Sequence, residues 1–322
     1  MEPPTQSVGT ESPAPVAVFA FKRPDYLKKT LASLGKCGGL LNREVVIFCD
    51  GARENVDGEK EATRVVQELA KKWVSARKGG RVVVSESNIG LRRAITFGVN
   101  QLIEEYGRVI VLEDDIIVSP AFLQYMDVSL GRFAEVERIW QVSGYFVPTS
   151  NAPIRPGCLS LPGCWGWATW ERAWRHYIDD AELLLTRLPE SDHHRFNVDG
   201  SYNYLDDLRR NAEGKMDTWH VRWYASMFLH NALAIFPGRS LTRNIGFDRR
   251  GTHCDSGSMA KTFVSQSLSR QVPDLGAIHE PYGECGVLRE QMRRFFEWQN
   301  SVWSRTPIHI RLCARLKRIF AG

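Results

Sequence analysis

The sequence predicts an α/β fold built on a doubly wound, mostly parallel sheet, and three observations predict it. Short apolar runs at residues 16–21, 44–49, 81–85 and 109–112 alternate with longer amphipathic stretches, the rhythm of strand–helix–strand units. These runs are continuous rather than alternating and rich in β-branched residues, as expected of four strands buried on both faces of a parallel sheet. Each run also ends abruptly in polar or turn-forming residues, and open α/β sheets gather their ligands outside the carboxyl ends of strands.

The elements follow in order. Residues 16–21 (VAVFAF) form the first strand, and Pro24 in the turn Lys22-Arg23-Pro24-Asp25 suits the first turn of a helix running to about Leu34. Residues 44–49 (EVVIFC) form a second strand that ends at Asp50-Gly51, with a mixed-charge helix over about 57–76. The third strand, 81–85, leads through Glu86-Ser87-Asn88-Ile89-Gly90-Leu91 into a helix ending near Tyr106. A fourth strand carries Val109-Ile110-Val111-Leu112 into Glu113-Asp114-Asp115, and Pro120 opens another helix. Near residue 140 the character changes. Trp140-Gln141-Val142-Ser143-Gly144 is one more strand, and beyond it Pro and Gly break regular structure around Trp165, Trp167 and Trp170. Those rings are either core or a platform or lid for a sugar. Residues 202–211 and 217–229 read as helices, and residues 240–247 as a turn-rich segment.

Composition sets the bounds. A chain of 322 residues can bury a large core, and 43% hydrophobic with 25% charged residues is ordinary for a globular protein. A net charge of +5 is mild for this length and points away from nucleic acid as a partner. Seven cysteines are odd in number, scattered, and free of any C-x-x-C pair, which favours reduced buried thiols over a disulfide framework or a zinc site. Residues 1–15 have no pattern able to bury a core and read as a disordered leader; with no secretory signal or long apolar stretch, a cytoplasmic location is expected.

The acidic triplet carries the most chemistry. Carboxylates at the rim of an apolar core are costly to desolvate and repel one another, so a cation is expected among them. A hard divalent ion that completes its shell with substrate phosphates is one answer, and a solvated acidic turn is the plain alternative.

The ordered set of motifs resembles a GT-A glycosyltransferase, close to the N-acetylglucosaminyltransferase I type and to bacterial polysaccharide glycosyltransferases. The resemblance rests on Glu113-Asp114-Asp115 followed by Ile116-Ile117-Val118-Ser119-Pro120, on Trp140-Gln141-Val142-Ser143, on Pro162-Gly163-Cys164-Trp165-Gly166-Trp167, and on Asn244-Ile245-Gly246-Phe247 with the later Thr252-His253. It spans roughly residues 15–260 and implies a nucleotide-sugar half at 16–145, an acceptor half at 146–265 and a C-terminal helical extension at 266–322. By resemblance Asp115 coordinates Mn²⁺ or Mg²⁺, while Glu113 and Asp114 hold ribose and donor-sugar hydroxyls. Arg23 and Asp50 sit where the family cradles the base, and Asn88, Gly90 and Arg92 where the backbone passes close to the donor, a UDP-sugar. Surface charge for the two arginines and a turn role for Asp50 are the alternatives. His253 is either a metal or pyrophosphate contact or a buried loop histidine.

An inverting transferase needs a base to take the acceptor's proton. The related enzymes use an Asp that follows a Trp on a helix of the C-terminal half, whereas this chain places His220 after Trp219. Asp217 is the preferred base, with His220 as partner or substitute; a helix N-cap is the alternative for Asp217. The tail, residues 304–322, carries Arg311, Arg315, Lys317 and Arg318 among apolar residues. It is either a basic amphipathic helix on the inner face of an anionic membrane, suited to a glycan or lipid-linked glycan acceptor, or a helix docked on the domain. Two rival functions are a sugar-1-phosphate nucleotidyltransferase, disfavoured because no Gly-rich loop follows the first strand, and an inactive carbohydrate-binding domain, disfavoured by the intact triplet.

Overall fold

A computed structural model describes residues 12–148, 154–247 and 258–305. The first half is the expected succession: β1 (Val16–Ala20), α1 (Pro24–Leu34), β2 (Val45–Cys49), α2 (Glu59–Ser75), β3 (Arg81–Val84), α3 (Leu91–Tyr106), β4 (Arg108–Glu113), β5 (Ile116–Val118) and α4 (Phe122–Arg132). The second half continues with β6 (Ile139–Ser143), β7 (Gly157–Leu159), β8 (Trp167–Trp170), α5 (Glu171–Trp174), α6 (Ala181–Arg187), α7 (His193–Phe196), α8 (Tyr204–Ala212), α9 (Trp219–Leu229), β9 (Leu233–Phe236), β10 (Thr242–Asn244), α10 (Ser258–Ser265) and α11 (Gly286–Arg305).

Eight strands form one sheet in the order β3-β2-β1-β4-β8-β6-β9-β7. β3, β2, β1 and β4 are mutually parallel, β8 runs antiparallel between β4 and β6, and β7 runs antiparallel to β9. The sheet is therefore continuous through both halves. Two sequence expectations are corrected here, on β3 and on the turn-rich segment, and one open alternative is decided, in favour of a core role for Trp167 and Trp170. β3 is not buried on both faces: it is the edge strand, paired within the sheet only with β2, and its residues are half-buried or exposed. Trp167 and Trp170 belong to a regular strand, β8, with Trp167 1% exposed and stacked 4.8 Å from Trp219, so these two rings are core. The turn-rich segment contains β10, which pairs antiparallel with β5 from Thr242 opposite Val118 to Asn244 opposite Ile116.

Two cores flank the sheet. Val16, Val18, Ile47, Ile110 and Leu112 face α1 and α4, while Phe19, Phe48, Val109 and Val111 face α3 and α9. α9 is buried nearly all round, which explains its Trp and Tyr content: Trp223 donates to Gln141 Oε1 at 2.7 Å, and Tyr224 to the Phe196 carbonyl at 2.8 Å.

The segment after 265 is docked on this body. Cys285 N donates to the Cys158 carbonyl at 2.8 Å, Glu284 accepts from both the amide and the hydroxyl of Ser160, and α11 buries Leu288, Met292, Phe295 and Phe296. The basic positions Arg311, Arg315, Lys317 and Arg318 lie outside the described residues, as do residues 1–11 of the leader. All five described cysteines are free thiols. Among the described residues no helix is long and apolar enough to cross a membrane.

Candidate active site

β1 has β2 on one side and β4 on the other, so the strand order reverses at this point of the sheet, where open α/β sheets bind ligands beyond the carboxyl ends of their strands. Glu113 is the last residue of β4, level with Phe19 of β1. Strand alternation places it on the side of Val109 and Val111, facing α3 and α9. Asp114 turns the other way, to α1: its carboxylate pairs with Arg23 Nη2 and lies 3.5 Å from the amide of Phe21, and Thr30 Oγ1 donates to its carbonyl at 2.6 Å. Asp115 Oδ2 meets the same Arg23 nitrogen at 2.9 Å, and its other oxygen is 3.5 Å from Asn244 Nδ2.

The β5–β10 pair closes the site from above. Ile245 N donates to the Asp115 carbonyl at 2.9 Å, and Gly246 N to Asn244 Oδ1 at 2.7 Å. Gly246 is so close that a Cβ there would lie 2.2 Å from Asp115 Oδ2 and 3.1 Å from Arg23 Nη1. Thr30 received no role from the sequence, and Asn244 and Gly246 entered only as part of a motif that carries the resemblance, with the glycine hinting at a close backbone approach.

Asp114 is 3% and Asp115 6% exposed, while Glu113 is half-buried. Burial first, then the charges of Asp115 and Asp114, push the Glu113 carboxyl well above the usual carboxylate range, and Arg23 opposes this. Burial likewise raises Asp114, with Arg23 pulling down and Asp115 pushing up. Burial disfavours the charge on Arg23, but Asp114 and Asp115 outweigh it and hold the guanidinium protonated. The Cys164 thiol is raised by burial and then by the Glu113 charge.

Asp50 has no oxygen to spare. Oδ1 accepts from the amides of Gly51 and Ile89, both at 2.9 Å, and Oδ2 from Asn88 Nδ2 at 2.9 Å and Gly90 N at 3.1 Å. The structure thus brings Asp50, Asn88 and Gly90 together, with Asp50 fixing the loop that opens α3. A Cβ on Gly51 would sit 2.5 Å from the Ser87 carbonyl carbon, so only glycine lets the two loops touch. Beside them Phe21 presents its ring to Lys22 Nζ (5.3 Å) and Arg53 (5.9 Å to the guanidinium carbon), and buried Glu59 ties both cations together.

Arg92 is held by two carboxylates, Asp179 and Asp217, rather than left free for a phosphate. Asp217 precedes α9 and is not its N-cap, which is Thr218. The contacts of its half-exposed carboxylate to Arg92 and to Arg222 (3.5 Å) both run through Oδ1. His220 is not its partner. That ring points inward, its Nε2 3.2 Å from the Pro162 carbonyl, and burial lowers its pKa to about 4. His253 lies outside the described residues.

Among the described residues no three His, Cys, Asp or Glu side chains converge on a point an ion could take. The donor set does fit an ion of the magnesium type, which keeps waters and needs one or two carboxylates besides substrate phosphates. Asp115 supplies one, and the guanidinium already resting on it shows that the spot attracts positive charge.

No protein-family model and no curated protein matches the chain. Among solved structures, a crystal structure of an active-site mutant of LgtC is similar at a TM-score of 0.36 and 13% identity, covering 89% of this chain and 95% of that one.

Proposed function

We propose that the protein is a GT-A type glycosyltransferase that moves a sugar, with inversion, from a nucleotide-sugar to a glycan or lipid-linked glycan acceptor. The observation that carries the reading is the Glu113-Asp114-Asp115 triplet at the carboxyl end of β4, beside the switch point of the sheet and clamped between Arg23 and Gly246. The base and ribose of the donor, most simply a UDP-sugar, lie against Phe21, Lys22 and Arg53, where one ring and two cations form a stacking and charge platform at the ends of β1 and β2. The loop fixed by Asp50 brings the backbone of Asn88–Gly90 to the donor's edge. Glu113, on the α3 and α9 side, hydrogen-bonds donor-sugar hydroxyls.

Asp115 holds Mn²⁺ or Mg²⁺, which when bound offsets the charge that develops on the departing diphosphate. Asp217 takes the acceptor's proton through Oδ2, while Arg92 and Arg222 fix the carboxylate by its other oxygen. The test is nucleotide-sugar hydrolysis by purified protein with and without Mn²⁺, over UDP-, GDP- and CMP-linked donors. The expected result is UDP-sugar turnover that EDTA abolishes and that Asp115→Asn lacks while keeping the wild-type melting temperature. Full activity in excess EDTA, or in the Asp115→Asn protein, would overturn the metal-dependent reading.

A further inference from the structure

We propose that Arg23 is a built-in counter-cation that a divalent ion must displace from Asp115, so that the nucleotide-free protein holds the ion only weakly. This rests on the reading of Asp115 as the metal ligand. The same nitrogen, Nη2, contacts Asp114 and, at 2.9 Å, Asp115. Both carboxylates are nearly buried, the Arg23 side chain itself is only 24% exposed, and its guanidinium packs 5.1 Å from the Tyr26 ring. Gly246 seals the other side of Asp115 Oδ2, where there is not room even for a methyl group. An ion reaching that oxygen meets a fixed positive charge at contact distance, in a poorly solvated place where like charges repel strongly.

Asp114 supplies the alternative seat. It keeps its own contact with Arg23 when the one to Asp115 breaks, so the guanidinium can swing off Asp115 without becoming unpaired. A nucleoside diphosphate brings the negative charge that makes this exchange favourable, because its phosphates answer both cations at once. Arg23 then becomes a gate that couples metal binding to donor binding.

The measurement is Mn²⁺ binding without nucleotide, by calorimetry and by the electron paramagnetic resonance of free Mn²⁺, on wild type, Arg23→Gln, Arg23→Lys and Asp115→Asn. Arg23→Gln should bind the ion about tenfold or more tightly than wild type, since the like charge is gone. Arg23→Lys, which keeps that charge, should stay close to wild type, and UDP should narrow the gap between wild type and Arg23→Gln. Asp115-dependent binding that Arg23→Gln leaves unchanged or weakens overturns the gate and leaves the metal site standing. Absence of Asp115-dependent binding in every protein that folds overturns both. Should Arg23→Gln not fold, the wild type carries the test through labelling of Arg23 by phenylglyoxal, followed by mass spectrometry. Mn²⁺ with UDP should change the rate of modification relative to UDP alone as the guanidinium exchanges partners, and an unchanged rate overturns the gate.

Discussion

Asp217 and His220 stand three residues apart in sequence and in quite different surroundings. The carboxylate is half exposed and anchored by one oxygen to Arg92 and Arg222, whereas the imidazole is turned inward onto a backbone carbonyl. A base must reach solvent-delivered substrate, and the half-exposed carboxylate is the more open of the two. Asp217→Asn keeps the size of the side chain and one anchoring oxygen, so kcat should fall by about 10²–10⁴ with donor binding by calorimetry unchanged. Near-normal turnover in this variant would reduce Asp217 to a clamp on Arg92. The sequence placed the acids and the arginines but not their pairings. Arg92 and Asp217 are 125 positions apart, and nothing local in either segment announces that one neutralises the other. The same holds for Asp50, which looked like a nucleotide contact and proves to be fully engaged with the Asn88–Gly90 loop.

Among the elements, the parallel half was legible because its strands are continuous apolar runs bounded by turn residues, a signal that needs no partner to be read. β8 and β10 were not. Each is three or four residues long and becomes a strand only by pairing with segments far along the chain, β4 and β6 for one and β5 for the other. The Trp-rich composition around β8 left core and sugar platform equally open, and only the pairing of β8 decides for core. β10 matters most, since it carries Asn244 and Gly246 onto Asp115. Gly246→Ala would put a carbon 2.2 Å from a carboxylate oxygen, too close for the loop to stay. Metal-dependent turnover should therefore drop at least about tenfold, and the melting temperature by only a few degrees, since Gly246 follows β10 in a loop and no strand pairing is lost. Wild-type kinetics in this variant would show that the clamp does not position Asp115.

At the scale of the whole molecule, acid should unfold the protein in a way that one inward-turned, half-buried histidine makes visible. His220 has a pKa near 4 in the folded state against an ordinary 6.5, because burial opposes the imidazolium, with the Pro162 carbonyl pulling weakly the other way. Between these two values the unfolded chain binds the proton and the folded one does not. The stabilisation is therefore complete above pH 6.5 and is lost as the pH falls toward 4. A difference of this size corresponds to roughly 3–3.5 kcal/mol across that window as an upper bound. Buried Glu59 acts lower down. Burial works against its charge, but Arg53 and Lys22 prevail and hold it at about 2, so its contribution persists until the pH drops below the ordinary 4.5. The two windows are separable, and the carboxylate triplet cancels when variants are compared with wild type at each pH. His220→Gln retains a donor for the Pro162 carbonyl and removes the titration, so its urea-unfolding free energy should vary less than that of wild type between pH 6.5 and 4.5. Parallel curves for the two proteins through that range would mean that the ring is protonated in the folded state, and that the wall of Trp219, Tyr204 and the Pro162 turn around it is open to water.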